Sequence, residues 1–100
     1  MTIPMAAIFS ADNDTWFCRG ALTLNNAAAA LKQSESLPLP ASGVVDFGET
    51  TDIDSTALAV MLALVRRAQH EHKTLAFRSV PSTLQTLAHV YGIDELFSES

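Results

Sequence analysis

Residues 52–66, Asp-Ile-Asp-Ser-Thr followed by Ala-Leu-Ala-Val-Met-Leu-Ala-Leu-Val-Arg, constrain this chain most. They set two acids and two hydroxyls at the mouth of a strongly apolar helix. Just upstream, Ala-Ser-Gly-Val-Val-Asp-Phe-Gly-Glu-Thr-Thr reads as a buried strand running into a short loop. The backbone N–H groups of a first helical turn lack partners, and the helix dipole favours negative charge beside them. A hydroxyl of Asp54-Ser55-Thr56 is therefore placed where a phosphate would be well received.

The rest of the chain alternates in the same way. Residues 6–9 are expected to form a short first strand, Asp12-Asn13-Asp14 a turn, and residues 15–22 a second strand, making a hairpin. In that second strand Trp16, Cys18 and Gly20 share one face, and Phe17, Arg19 and Ala21 the other. Asn25 or Asn26 can cap a short alanine-rich helix over 27–33. Residues 34–42, with Pro38 and Pro40, read as a loop. The third strand, 43–47, suits a central position buried on both faces. Leu58, Met61, Leu62 and Val65 recur at helical spacing and predict a helix running to about His72. Residues 74–78 form a fourth strand with Leu75 and Phe77 pointing one way. Pro81 suits a first helical turn, and Ser82 with Gln85 a capping box. Leu84, Leu87, Ala88 and Tyr91 are the apolar stripe of the last helix, Gly92 stops it, and Ile93, Leu96 and Phe97 are expected to return to the core.

The order β-β-α-β-α-β-α is α/β. It predicts a small four-stranded, mixed but mostly parallel sheet. Right-handed crossovers pack the helices mainly on one side. With 100 residues, 48% of them hydrophobic, the expectation is one domain spanning 1–100.

Three features carry a resemblance to a known family: the strand ending in Asp46, the turn Asp54-Ser55-Thr56-Ala57 opening a helix, and the later Leu-Ala-Phe-Arg-Ser-Val-Pro…His-Val-Tyr-Gly-Ile-Asp-Glu-Leu-Phe. Together they resemble the STAS domain, the sulfate-transporter and anti-sigma-factor-antagonist family, over nearly the whole chain. Within it the chain is most similar to the small stand-alone STAS subunits of Mla-type phospholipid ABC transporters. That resemblance implies a protein without a cofactor that binds the transporter's ATPase subunit, and through it the permease. It would then lie in the cytoplasm, peripheral to the inner face of the inner membrane, in a system that maintains lipid asymmetry. The alternative implied by the same family is an anti-sigma-factor antagonist that binds a kinase and switches partners when Thr56 is phosphorylated. Thr56 aligns with the phospho-acceptor of the antagonists, and Ser55 with the threonine that follows the Asp in the transporter subunits. Ala57 stands where phosphorylated antagonists usually have glycine, which would let a kinase approach the backbone closely.

Asp54, Ser55 and Thr56 also have a plain role as helix caps, a role compatible with partner contact. Phosphorylation is expected at Thr56 or Ser55 if at either. At about 100° per residue, Thr56, Ala59, Val60, Ala63 and Arg67 fall on the side of the helix away from the expected core stripe. That side is small and apolar, edged by Arg66, Arg67 and His70, and is expected to dock on a helical surface of the ATPase, arginine being favoured at interface rims and anchors. Asp54, Ser55, Thr56, Ala59, Val60, Ala63 and Arg67 are thus the candidate partner-binding residues.

Other residue types carry less. Asp46, Glu49, Asp52 and Asp54 match no metal-binding loop and read as solvated carboxylates. His70 and His72 diverge on a helix and do not share a metal, and His89 reads as a packing or surface residue. Cys18, the single cysteine, cannot form an internal disulfide and reads as a buried thiol in a reducing compartment. Eleven acidic residues against six basic give a formal charge of −5, which argues against nucleic acid and against an anionic membrane surface as partners. The start lacks the basic segment of a secretory signal, and the apolar run 57–65 is far too short to insert in a membrane. Neither a nucleophile elbow nor a phosphate-cradling glycine loop is present, so no enzyme is expected.

Overall fold

In a computed structural model, residues 9–12 and 14–93 of the chain are described. The elements are β1 (Phe9–Asp12), β2 (Thr15–Leu22), α1 (Ala27–Glu35), β3 (Val44–Ile53), α2 (Thr56–His70), β4 (Ala76–Arg78) and α3 (Ser82–Val90). The strands lie in the order β1-β2-β3-β4, with β1 antiparallel to β2 and the other two pairings parallel. This is the expected mixed, mostly parallel sheet.

Register aligns the apolar side chains on one face. Phe9 lies opposite Cys18, Trp16 opposite Val45, and Val45 opposite Phe77, and all five are buried with Phe47 and Leu22. Ala30 of α1, Leu58, Val60, Met61 and Leu64 of α2, and Leu84 and Ala88 of α3 complete a single cluster against that face. Each fully buried leucine- or phenylalanine-sized side chain contributes about 1.5–3 kcal/mol. Two aromatic pairs join neighbouring strands on this face, Phe9–Trp16 at 5.6 Å between ring centroids and Phe47–Phe77 at 5.9 Å. The opposite face is polar. It carries Asp46 paired with Arg78 at 2.8 Å, Arg19 paired with Glu49 at 2.9 Å, and the Arg19 guanidinium 5.2 Å from the Phe17 ring centroid.

β2 forms over the residues expected of it, since strict alternation leaves no other register for Trp16, Cys18 and Leu22. The first strand begins where the expected one ends: Phe9–Asp12 pairs with β2, while residues 6–8 lie outside the described residues. The hairpin closes with Asp12 opposite Thr15, and Asp14 adopts a left-handed φ of 68°. Expected as a 43–47 strand followed by a loop, β3 instead continues to Ile53. Its polar second half, Gly-Glu-Thr-Thr-Asp-Ile, stays paired with Arg19–Leu22 because β3 carries an extra residue at two points. The register steps from Phe17↔Asp46 to Arg19↔Glu49, and again from Gly20↔Thr50 to Leu22↔Ile53. Such bulges keep two strands paired although their side chains no longer alternate in step. Gly43 opens β3 at φ 75°, and a Cβ there would lie 2.7 Å from the Thr74 carbonyl oxygen, a contact only glycine avoids.

Cap chemistry differs from expectation at two helices. Asn26 precedes α1 but does not cap it. Its carboxamide accepts from the Thr23 N–H at 2.8 Å and donates to the Ala21 carbonyl at 2.7 Å, bracing the turn instead. The Ser82–Gln85 box does not form, because Gln85 donates to the Val80 carbonyl at 3.0 Å. Pro81 stands one residue before the first turn, with extended ψ of 142°. Tyr91, expected in the apolar stripe of α3, is 58% exposed; Leu84 and Ala88 are buried and Leu87 half-buried. Gly92 ends that helix at φ 73°, and Ile93 packs on the core, whereas Leu96 and Phe97 lie outside the described residues.

Candidate functional site

Asp54 organises the turn that joins β3 to α2. One carboxylate oxygen accepts the Thr56 backbone N–H at 2.9 Å and also the Thr56 hydroxyl. The other accepts the Leu24 N–H, from the β2–α1 turn, at 3.1 Å. Ser55 already has helical dihedrals, φ −64° and ψ −18°, and its own hydroxyl makes no cap hydrogen bond. Asp54 is therefore the functional N-cap, its side chain holding the N–H two residues on. The Thr56 hydroxyl holds the Asp54 carboxyl below the usual carboxylate range; the Leu24 N–H adds to this, partial burial opposes it, and the Thr56 N–H adds again.

The two hydroxyls of this turn are thus unequal. Ser55 is exposed, while Thr56 is half-buried with its proton directed to Asp54. Ala57 is fully buried, so its methyl group points into the core and does not obstruct an approaching protein.

The face that α2 presents differs from the one periodicity implied. Its buried positions are Ala57, Leu58, Val60, Met61, Leu64 and Ala68. Val60, expected on the outward side, is 1% exposed and belongs to the core. Arg67 is also turned inward. It donates to the Ser34 carbonyl at 2.9 Å and the Leu37 carbonyl at 2.6 Å, lies 6.0 Å from the Trp16 ring centroid, and pairs with Glu71 at 3.0 Å. It closes the open C-terminal end of α1, where carbonyl groups lack helical partners. Leu62, expected in the core stripe, is only half-buried. What α2 and the residue before it show to solvent is Ser55 and Ala59, half-buried Leu62 and Ala63 beside them, and exposed Arg66, Gln69 and His70 toward the far end. Arg66 forms no ion pair among the described residues, whereas Arg67 does.

One member of this surface escaped sequence reading, and one edge residue takes a larger part than expected. Of the expected edge residues Arg66 and His70 stay exposed while Arg67 turns inward, and the missed member is Leu24, 74% exposed on the turn that Asp54 holds. A leucine inside the polar run Thr-Leu-Asn-Asn was the available signal.

The remaining candidates have local roles. Asp46 accepts from Gly48 and Arg78, and Glu49 from Arg19, so the acidic residues of β3 are dispersed among separate partners. Among the described residues no three His, Cys, Asp or Glu side chains converge as a metal site. His72 lies past the end of α2, at a left-handed φ of 59°, and does not share the helix with His70. Cys18 is fully buried and burial pushes its thiol up to about 12, which suits a packing role. No helix among the described residues is long and apolar enough to cross a membrane.

The sequence matches the family model of the MlaB STAS domain over residues 18–98. The chain belongs to the STAS-domain family. Its sheet order, the helices on one face and the Asp-Ser-Thr turn opening α2 are the framework in which that match is expressed, and the resemblance to MlaB-type members extends from β2 past α3. No curated protein matches the chain closely enough to be called a relative.

Proposed function

We propose that this STAS domain is a non-catalytic subunit that binds the ATPase of a phospholipid-trafficking ABC transporter and supports its assembly or activity. The match to the MlaB model carries this reading. The surface proposed to bind is the solvent side of α2 with the turn before it: Ser55, Thr56, Ala59 and Ala63, with Arg66 at the rim in place of Arg67. Small side chains let a partner's backbone approach closely, and an exposed arginine with no ion pair among the described residues offers a directed contact to a carboxylate on that partner. A subunit of this kind acts by differential binding. It stabilises one form of the ATPase more than others, and so shifts its population.

The antagonist reading has less support. The Thr56 hydroxyl donates to Asp54, and a phosphate there would face that carboxylate at short range.

The test is purification of the tagged chain from its native cell in mild detergent, with its companions identified by mass spectrometry. The proposal predicts an ABC ATPase together with a permease. A soluble kinase, with phosphate on Thr56, would replace it with the partner switch.

A further inference from the structure

We propose that Leu24 is the apolar anchor of this surface, held out by a pre-ordered turn to enter an apolar pocket on the ATPase subunit. The inference rests on the function proposed above and adds the chemistry of the partner's site.

Leu24 is 74% exposed, more than Val90 at 69% or Tyr91 at 58%, the other large exposed apolar side chains among the described residues. An isolated exposed leucine needs no explanation. Leu24 differs because its backbone is fixed. Its N–H is held by Asp54 at 3.1 Å, and the flanking residues close a tight hydrogen-bonded turn: Thr23 N–H to the Asn26 side chain at 2.8 Å, Asn26 N–H to the Thr23 carbonyl at 3.0 Å, and Ala27 N–H to the same carbonyl at 2.8 Å. The Asn26 side chain ties this turn to the Ala21 carbonyl of β2 at 2.7 Å. A side chain on such a turn loses only its own rotamer freedom on binding, which favours a dominant contact.

Position supports the same conclusion. Asp54 grips the Leu24 N–H with one oxygen and Thr56 with the other, so the exposed leucine stands beside the mouth of α2. Val90 and Tyr91 end α3 and share no hydrogen bond with that turn. The Asp54 carboxylate puts negative charge beside Leu24, so the matching pocket is apolar with a basic group at its rim.

The experiment measures Kd between the purified chain and the purified ATPase subunit of the phospholipid ABC transporter from the same cell, together with the thermal midpoint of each variant. Leu24→Ala is expected to weaken binding about 10- to 100-fold, with the midpoint unchanged because the side chain is exposed. Leu24→Met should keep the affinity within about threefold, since it preserves apolar volume. Ala59→Glu, on the outward face of α2, reports on the parent proposal. If Ala59→Glu abolishes binding while Leu24→Ala leaves Kd unchanged, the anchor is overturned and the α2 surface stands. If neither variant changes Kd, or the unaltered chain does not bind, both fall.

Discussion

Asp54 and Thr56 form a closed unit in which one carboxylate oxygen accepts both the backbone N–H and the hydroxyl of the same threonine. The residue that caps α2 is therefore also the one that determines where the Thr56 hydroxyl points. Thr56→Val keeps the shape and the N–H bond but removes the hydroxyl, the largest cause of the lowered Asp54 pKa. The expected result is a rise of the Asp54 pKa toward the ordinary carboxylate range, read by NMR titration of its side-chain carbon. The sign follows from linkage: a carboxyl depressed in the folded state contributes stability above its unfolded value near 4, and loses it as pH falls through the folded value. The variant should therefore lose stability at neutral pH and approach the parent chain in acid.

Adjacent arginines on α2 should behave in opposite ways. Arg67→Ala removes the donor of the Leu37 carbonyl and leaves the Ser34 carbonyl only its bond from the Leu37 N–H, and is expected to cost about 1–3 kcal/mol in a urea titration. Arg67→Lys should recover little, because one ammonium cannot reproduce the fork that reaches both carbonyls. Arg66→Ala, at an exposed position, should change stability by no more than about 0.5 kcal/mol while weakening association with the partner.

His72 occupies a position made for glycine. Past the end of α2, the His72 N–H bonds the Gln69 carbonyl at 3.1 Å and the Lys73 N–H bonds the Ala68 carbonyl at 2.7 Å, the paired closure of a Schellman motif, with His72 at φ 59°. A residue with a Cβ is strained there. His72→Gly should stabilise the domain by about 0.5–1 kcal/mol, the relief of that strain exceeding the added freedom of the unfolded chain. Thermal unfolding at constant pH checks it.

Asp46 predicts the acid behaviour of the sheet's polar face. Burial raises its pKa, but the Gly48 N–H and the Arg78 guanidinium together outweigh burial and leave it lowered. Its contribution is present above about pH 4 and lost as pH falls through the folded value. Arg78 is 56% exposed, so screening limits the pair to about 0.5–1 kcal/mol. Asp46→Asn should be less stable than the parent by that amount at pH 7, and the difference should close below pH 4 in denaturant titrations across pH.

How far the sequence disclosed this molecule can be read from particular elements. β2 was legible because Trp16, Cys18 and Leu22 alternate with less apolar partners. The second half of β3 was not, since Gly-Glu-Thr-Thr-Asp-Ile shows no alternation and is held by bulged pairing to a strand about 30 residues away. The existence of α2 was plain, but its orientation was not. A helix made of Ala, Leu, Val and Met has apolar residues on every side, so spacing alone could not choose between Val60 and Leu62 as the buried one. Arg67 was misplaced for a related reason: the carbonyl groups that draw it inward belong to the end of α1, distant in sequence. The Asp54 turn was legible as a cap, but the division of labour among Asp54, Ser55 and Thr56 required three-dimensional contacts with Leu24.

The solvent side of α2 is the surface proposed to bind the transporter ATPase. The most direct test is the Kd of that ATPase subunit for the unaltered chain and for Ala59→Glu, measured by calorimetry with the thermal midpoint recorded in parallel. Ala59→Glu is expected to lose binding with an unchanged midpoint, because Ala59 is exposed and contributes nothing to the core. Equal affinity for both proteins would contradict that role for α2.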